Sequence, residues 1–242
     1  MRAILFDFGG TLDGPSHWLD RFLAYYSASG LSLSRDELDS AYAYATRRAY
    51  DDSERLREYG LARLVEYLVG VHFEWLLEKG PPEVRAVLGR SGERRGQIAE
   101  QISRGFAGES VRGLERSKAV LQVLKSRFSL GVVSNFYGNL DHVLADAGIA
   151  ELLGTIADST RLGFFKPDVR IFNEALHKLG VVPRDAVMVG DSLEKDCAPA
   201  RSLGLKTIWV RNRGVPARGD KAMADYQIST LDELERFEWQ AV

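Results

Sequence analysis

The sequence predicts an α/β fold, a parallel sheet interrupted after its first strand by an all-helical insertion. Three observations carry this reading. A short apolar run opens the chain and stops at the pair Gly9-Gly10. The stretch from Ser16 to about Phe106 has helical texture and no strand-like segment. After Gly113, short apolar runs alternate with helices that stop on glycines, the pattern that covers the faces of a parallel sheet with helices.

Ala3–Phe8 reads as a buried strand ending in a tight turn. Trp18, Phe22 and Tyr25–Tyr26 recur at helical spacing, and Ser34 with Glu37 has the form of a capping box. Ser53–Lys79 is long and amphipathic, with breaks expected at Gly60 and Gly70 and punctuation at Pro81-Pro82. Leu114–Arg127 reads as a helix, Phe128–Val133 as a strand, Asn139–Ala147 as a helix and Thr155–Ala157 as a strand. Asp168–Leu179 is a helix stopped by Gly180, Ala186–Val189 a strand, and Glu194–Leu203 a helix stopped by Gly204. Lys206–Val210 and Tyr226–Ile228 are the last strands, and Thr230 with Glu233 caps a final helix. Arg211–Lys221, rich in Gly, Arg and Pro, reads as a loop. The implied organisation is a core of residues 1–14 and 110–242 and a helical insertion of residues 15–109.

The chain has 242 residues, 45% of them apolar and 27% charged, enough to bury a core and unlike a disordered protein. Its net charge of −2 speaks against a partner whose affinity comes from many Lys and Arg contacts, so no nucleic acid is expected. Cys197 is alone, which excludes an internal disulfide or a Cys-rich zinc site; it reads as a small buried apolar residue. Asp7 follows directly on Ile4-Leu5-Phe6, the wrong pattern for a signal peptide, and no apolar run approaches the roughly 20 residues of a membrane span. A cytoplasmic protein without membrane association is the expectation.

In open parallel sheets ligands bind beyond the carboxyl ends of the strands. The predicted ends carry Asp7, then Ser134-Asn135, then Lys166-Pro167 in the loop after Thr155–Ala157, then Gly190-Asp191-Ser192. Singly these are cap, turn and surface residues. Together, two carboxylates, a hydroxyl and an ammonium suit phosphoryl transfer. The aspartates can hold Mg²⁺, a hard cation that takes oxygen ligands. Asp7 can attack phosphorus, and Ser134, Lys166 and the N–H groups around Gly10–Thr11 can stabilise the equatorial oxygens. Competing motifs fail. Gly204-Leu205-Lys206-Thr207 lacks Walker spacing, Glu194 stands where a nucleophile elbow needs glycine, and His17, His72, His142 and His177 show no zinc spacing. The aromatic clusters Tyr42–Tyr44 and Phe73–Trp75 read as core of the insertion.

At Asp7-Phe8-Gly9-Gly10-Thr11-Leu12-Asp13, Ser134, Lys166-Pro167 and Gly190-Asp191-Ser192-Leu193-Glu194-Lys195-Asp196 the sequence resembles the haloacid dehalogenase superfamily. The resemblance covers the whole chain and implies a Rossmann-like core, a helical cap placed between the first and second motifs, and a Mg²⁺-dependent phosphatase acting on a small phosphorylated metabolite. It implies Asp7 as nucleophile and metal ligand, the Gly9 carbonyl and Asp191 as further metal ligands, and Ser134 and Lys166 as phosphate-binding, with Gly10, Thr11 and Asn135 completing that set. Asp196 is expected to orient Lys166 or a metal-bound water. Whether the protein is a monomer or a homodimer is open at this stage.

One departure stands out. The family's phosphatases carry a general acid–base aspartate two residues after the nucleophile, and here that position is Gly9. General acid–base catalysis contributes about 10²–10⁴-fold. Three answers are open: a substrate with a good leaving group, such as an acyl or aryl phosphate; a stand-in, with Asp13 and His17 nearest in sequence; or a phosphate-ligand binding or regulatory protein with attenuated turnover. A dehalogenase is a weaker reading, because Gly190-Asp191 is the metal-type motif. Phosphonate cleavage lacks its cap lysine, since Lys79, beside the Pro-Pro turn, is the only lysine between Arg2 and Lys118.

Overall fold

In a computed structural model describing residues 1–211 and 224–239, strand β1 (Ala3–Phe6) occupies the middle of a wholly parallel sheet. Among the described residues the sheet has six strands in the order β3-β2-β1-β4-β5-β6, with β2 Ser129–Ser134, β3 Thr155–Asp158, β4 Ala186–Gly190, β5 Lys206–Val210 and β6 Tyr226–Ile228. β1 is apolar throughout because both of its faces are covered. Ala3 and Leu5 pack with Val133 and Met188 against Ile171, Phe172 and Ala175 of a helix on one side. Ile4 and Phe6 face the other way, with Val132, Val187 and Val189, into a larger core shared with the insertion.

The insertion is built from α1 (Trp18–Ala28), α2 (Arg35–Asp51), α3 (Ser53–Leu56), α4 (Leu61–Lys79), α5 (Pro82–Gly89) and the start of α6 (Gly92–Lys125). The capping box of Ser34 and Glu37 opens α2. That helix turns Leu38, Ala41, Ala45 and Ala49 inward, and α4 packs on it. The expected interruption occurs at Gly60, whose backbone is extended, but not at Gly70, which lies inside α4 between the buried Val69 and Val71. Tertiary packing there outweighs the roughly 1 kcal/mol that glycine costs a helix.

The largest difference concerns α6. The sequence suggests a new helix after Gly113 and a boundary at 109/110; the structure has one helix of 34 residues running through both points. Gly113 is not a stop. It is where the backbone of Asp13 and Gly14 crosses α6, and any Cβ there would overlap the Asp13 carbonyl. After β2 come α7 (Leu140–Asp146), α8 (Ser159–Leu162), α9 (Arg170–Leu179) and α10 (Ala198–Leu203). The Thr230–Glu233 capping box is present but opens only a short 3₁₀ turn, Leu231–Arg236. The expected loop at Arg211–Lys221 lies, Arg211 apart, outside the described residues. No described helix is long and apolar enough to cross a membrane.

The core of the insertion holds a titratable group. His72 of α4 is fully buried, with Nδ1 3.0 Å from the Tyr26 hydroxyl and its ring edge-on to Phe22 at 5.0 Å between centroids. Burial pushes its pKa down to about 3. The folded state therefore keeps His72 neutral, while the unfolded chain protonates it near pH 6.5. Stability should be complete above about pH 6.5 and fall as the pH drops from there towards about 3. Melting temperatures between about pH 4.5 and pH 7.5 should show this slope, and His72→Phe should flatten it; an unchanged slope in the variant would assign the acid sensitivity elsewhere.

Candidate active site

β1 lies between β2 and β4, and all three run the same way, so their carboxyl ends share one edge. The register pairs Phe6 with Val132 on one side and Val189 on the other. The next residue of β1's chain, Asp7, donates its N–H to the Val189 carbonyl at 2.9 Å. The chain then leaves the sheet, two residues earlier than the apolar run suggests, in the turn Phe8–Leu12. Gly10 has φ 79° there, a conformation side chains disfavour, and a Cβ on it would overlap the Asp191 carboxylate. Glycine lets the first loop and the end of β4 come together.

Asp7 is held on one oxygen. Its Oδ1 accepts from Ser134 Oγ at 3.0 Å and from Lys166 Nζ at 2.7 Å, and no described residue donates to Oδ2. The buried Lys166 also donates to Asp196 Oδ1 at 2.6 Å. Burial alone would depress the Lys166 pKa, but Asp196 and Asp7 outweigh it and hold the ammonium charged, above its usual value. Asn135 fixes the backbone of Lys166 at both ends, donating Nδ2–H to its carbonyl at 3.0 Å and accepting its N–H on Oδ1 at 2.7 Å. The Asn135 amide thus positions the lysine and keeps its second Nδ2–H beside the cavity it lines.

Asp7, Asp191 and Asp196 bring carboxylate oxygens within 4.8 Å of one another. Three carboxylates against one ammonium leave an excess of negative charge. Burial, then Asp7 and Asp196, push the Asp191 carboxyl well above the usual carboxylate range. A donor set of clustered oxygens with uncompensated charge fits a hard divalent cation. Asp196 is the least free of the three, since its Oδ2 already accepts the Ser192 N–H at 3.0 Å. Asp7 and Asp191 keep carboxylate oxygens that could take a metal, and Gly9 lines the same cavity.

These residues open into a cavity of about 300 Å³. Asp7, Gly9, Ser134, Asn135, Lys166, Asp191 and Asp196 all line it. Gly10 and Thr11 are not among the lining residues. The Gly10 N–H is spent on Asp13 Oδ1 at 2.9 Å, and Thr11 faces a second cavity beside Arg116 and Ser117.

Asp13 is also displaced from its expected part as stand-in acid. It is 0% exposed. Its Oδ2 accepts from Arg21 Nη1 at 2.6 Å, Trp18 Nε1 at 2.7 Å and Ser110 Oγ at 3.1 Å. Arg21 is buried too, lying 4.0 Å over the Phe106 ring and donating to the Phe106 carbonyl. This network seats the Trp18 indole beside Gly9, where a Cβ on residue 9 would lie 3.4 Å from Nε1. His17, the other candidate, does line the cavity, and its Nδ1 accepts the Leu19 N–H at 3.2 Å as a helix cap.

The rest of the lining escaped sequence reasoning. The insertion supplies Trp18, Asp39, Tyr42, Thr46 and Tyr50, and the loop after β2 supplies Phe136 and Tyr137. Tyr42, read as core of the insertion, is half-buried and belongs to this lining. A signal existed: Asp39, Tyr42, Thr46 and Tyr50 follow helical spacing, one step round α2 from the buried stripe Leu38, Ala41, Ala45 and Ala49.

A parallel α/β sheet with a buried carboxylate–lysine–serine cluster at its carboxyl edge, roofed by inserted helices, defines a class of hydrolase, and the comparisons agree. Residues 1–204 match the family described as haloacid dehalogenase-like hydrolase, and the chain belongs to that family. It is 30% identical over 211 residues to the haloacid dehalogenase-like hydrolase domain-containing protein 3 of Bos taurus, covering 86% of this chain and 81% of that protein. It is 37% identical over 91 residues to the phosphoserine phosphatase of Thermus thermophilus, covering 38% of this chain and 36% of that enzyme. Its fold matches the crystal structure of a HAD phosphatase from Thermococcus onnurineus with a TM-score of 0.54 at 21% identity, over 98% of this chain and 97% of the other.

Proposed function

We propose that the protein is a Mg²⁺-dependent phosphatase that hydrolyses a small phosphate monoester through a phosphorylated Asp7, with the helical insertion serving as a cap. One observation carries the reading: Asp7 Oδ1 is fixed by Ser134 and Lys166 while Oδ2 is left for attack at the floor of the cavity. Lys166 and Ser134 are placed to hold the equatorial oxygens of a phosphoryl group, and Asp196 keeps the lysine in position. When bound, the metal would neutralise phosphate charge and permit a carboxylate to approach it. The roof formed by Trp18, Tyr42, Thr46 and Tyr50 would exclude bulk water. Phosphatases among the relatives support this class of reaction.

The test is phosphate release from a panel of monoesters, with Mg²⁺ and with a chelator. Release that requires Mg²⁺ is expected. Activity that persists in chelator would favour metal-independent dehalogenase-type chemistry, and binding of phosphate analogues without turnover on any ester would favour the regulatory reading.

A further inference from the structure

We infer that the substrates are aryl phosphates, monoesters of an aromatic hydroxyl whose ring lies against the aromatic roof of the cavity; this rests on the phosphatase reading above. Two independent features point to the same chemistry.

The first is the lack, among the described residues, of a side chain in the usual place to protonate the leaving oxygen. Residue 9 has no side chain, and the neighbouring space is filled by the Trp18 indole, whose N–H is committed to Asp13. Asp13 is sealed from the cavity and paired with Arg21. Burial, then Lys195, lowers the His17 pKa, so its imidazole is neutral and a poor acid. Burial raises the phenols of Tyr42, Tyr50 and Tyr137, which weakens them as acids further. Lys195 and Asp39 are exposed to solvent at the rim, and Asp191 belongs to the proposed metal site. A phenol has a pKa of about 10, whereas an aliphatic hydroxyl lies close to water's value of about 15.7. Only the phenol leaves readily without a proton.

The second feature is the shape and lining. Trp18, Tyr42, Tyr50, Phe136 and Tyr137 surround the cavity, with Phe136 and Tyr137 rings 5.2 Å apart and Tyr50 5.4 Å from Tyr137. An apolar cavity of about 150 Å³ accepts benzene. The 300 Å³ here takes one ring and a phosphoryl group, with little to spare.

In the first step Asp7 Oδ2 bonds to phosphorus as the P–O(aryl) bond breaks. The electron pair leaves on the phenoxide, which later takes a proton from water. In the second step water bonds to phosphorus, the P–O(Asp7) bond breaks with its pair returning to the carboxylate, and the water's proton passes to solvent. A good leaving group accelerates only the first step. With no side chain at position 9 to act as base, the second is slow, so phosphorylated Asp7 accumulates.

The experiment uses the full-length wild type with Mg²⁺, a series of substituted phenyl phosphates, phosphoserine as an alkyl ester, and a fluorinated alkyl phosphate whose alcohol is as acidic as phenol but carries no ring. The expected results are a kcat/KM at least about 100-fold higher for phenyl phosphates than for phosphoserine, a steep rise as the phenol becomes more acidic, and a burst of phenol before steady phosphate release. Phenyl phosphate should also exceed the fluorinated alkyl phosphate by about fivefold or more through its ring contacts. Gly9→Asp should raise phosphoserine turnover and shrink the aryl preference; its backbone, φ −74° and ψ 122°, accepts any residue. Phosphoserine hydrolysed within about tenfold of phenyl phosphate would show a substitute acid at work and overturn the inference while leaving a phosphatase. The fluorinated alkyl phosphate equalling phenyl phosphate would remove the ring from recognition and overturn it likewise. Absence of Asp7-dependent phosphate release from every ester would overturn the phosphatase reading itself.

Discussion

Changing Asp7 to Asn is expected to reduce phosphate release by at least about 10⁴-fold with the fold intact. The amide keeps the shape of the carboxylate but not its nucleophilicity, and it also withdraws one oxygen anion from the proposed metal site. Lys166 would still be paired with Asp196 at 2.6 Å, so no buried cation is stranded. The variant should therefore melt close to the wild type, which separates lost chemistry from lost structure. Phosphate release and thermal melting on the same samples provide the check. Retention of activity within about tenfold would remove Asp7 from the role of nucleophile.

The largest stability effect is expected at a residue that takes no part in the chemistry. Asp13→Ala should destabilise the protein by about 3 kcal/mol, because it leaves the buried Arg21 guanidinium with only the partly exposed Glu109 carboxylate, 3.3 Å from its Nε, as counter-charge. The Gly10 N–H and the Trp18 N–H lose their acceptor in the same stroke. For a chain of this size the melting temperature should fall by roughly 10 °C. Burial raises the Asp13 carboxyl even against the pull of Arg21, which marks how costly the site is to ionise. A double change, Asp13→Leu with Arg21→Met, should recover much of the loss, since an apolar pair removes the desolvation cost along with the attraction. Thermal melts of the single and double variants decide the matter: a single variant within 1 °C or so of the wild type would show the pair to be energetically idle.

How much of this could be read beforehand depended on the range of the interactions. β1 and its turn were legible because a buried parallel strand is apolar at every position and Gly9-Gly10 ends it locally. The convergence of Asp7, Ser134, Lys166 and Asp191 followed from the rule that strand ends share an edge, and the structure places all four around one cavity. The fate of Asp13 was not legible, because its partners Arg21 and Ser110 approach from α1 and from a helix far along the chain. The continuity of α6 was hidden for a similar reason. Gly113 has the look of a stop in one dimension, and only the crossing of Asp13 and Gly14 over it explains the missing side chain. On α2, two neighbouring stripes compete, one of alanines and one of tyrosines with Thr46; choosing between core and cavity requires knowing that α4 covers the alanines. Asn135 was found at the right place, but its pairing with the Lys166 backbone is invisible in the spacing.

The uninterrupted α6 has a mechanical consequence. At 34 residues it is a rod of about 50 Å, with one end among the helices of the roof and the other feeding β2, which carries Ser134. Hydroxyls of Ser110 and Ser117 pin the rod to Asp13 and to the Leu12 carbonyl on the way. The roof and the sheet are thus joined by two crossings, the Asp13–Gly14 segment and α6, packed against each other at Gly113. A rod that runs unbroken from the roof to the strand bearing Ser134 couples the position of the inserted helices to that of the sheet's carboxyl edge.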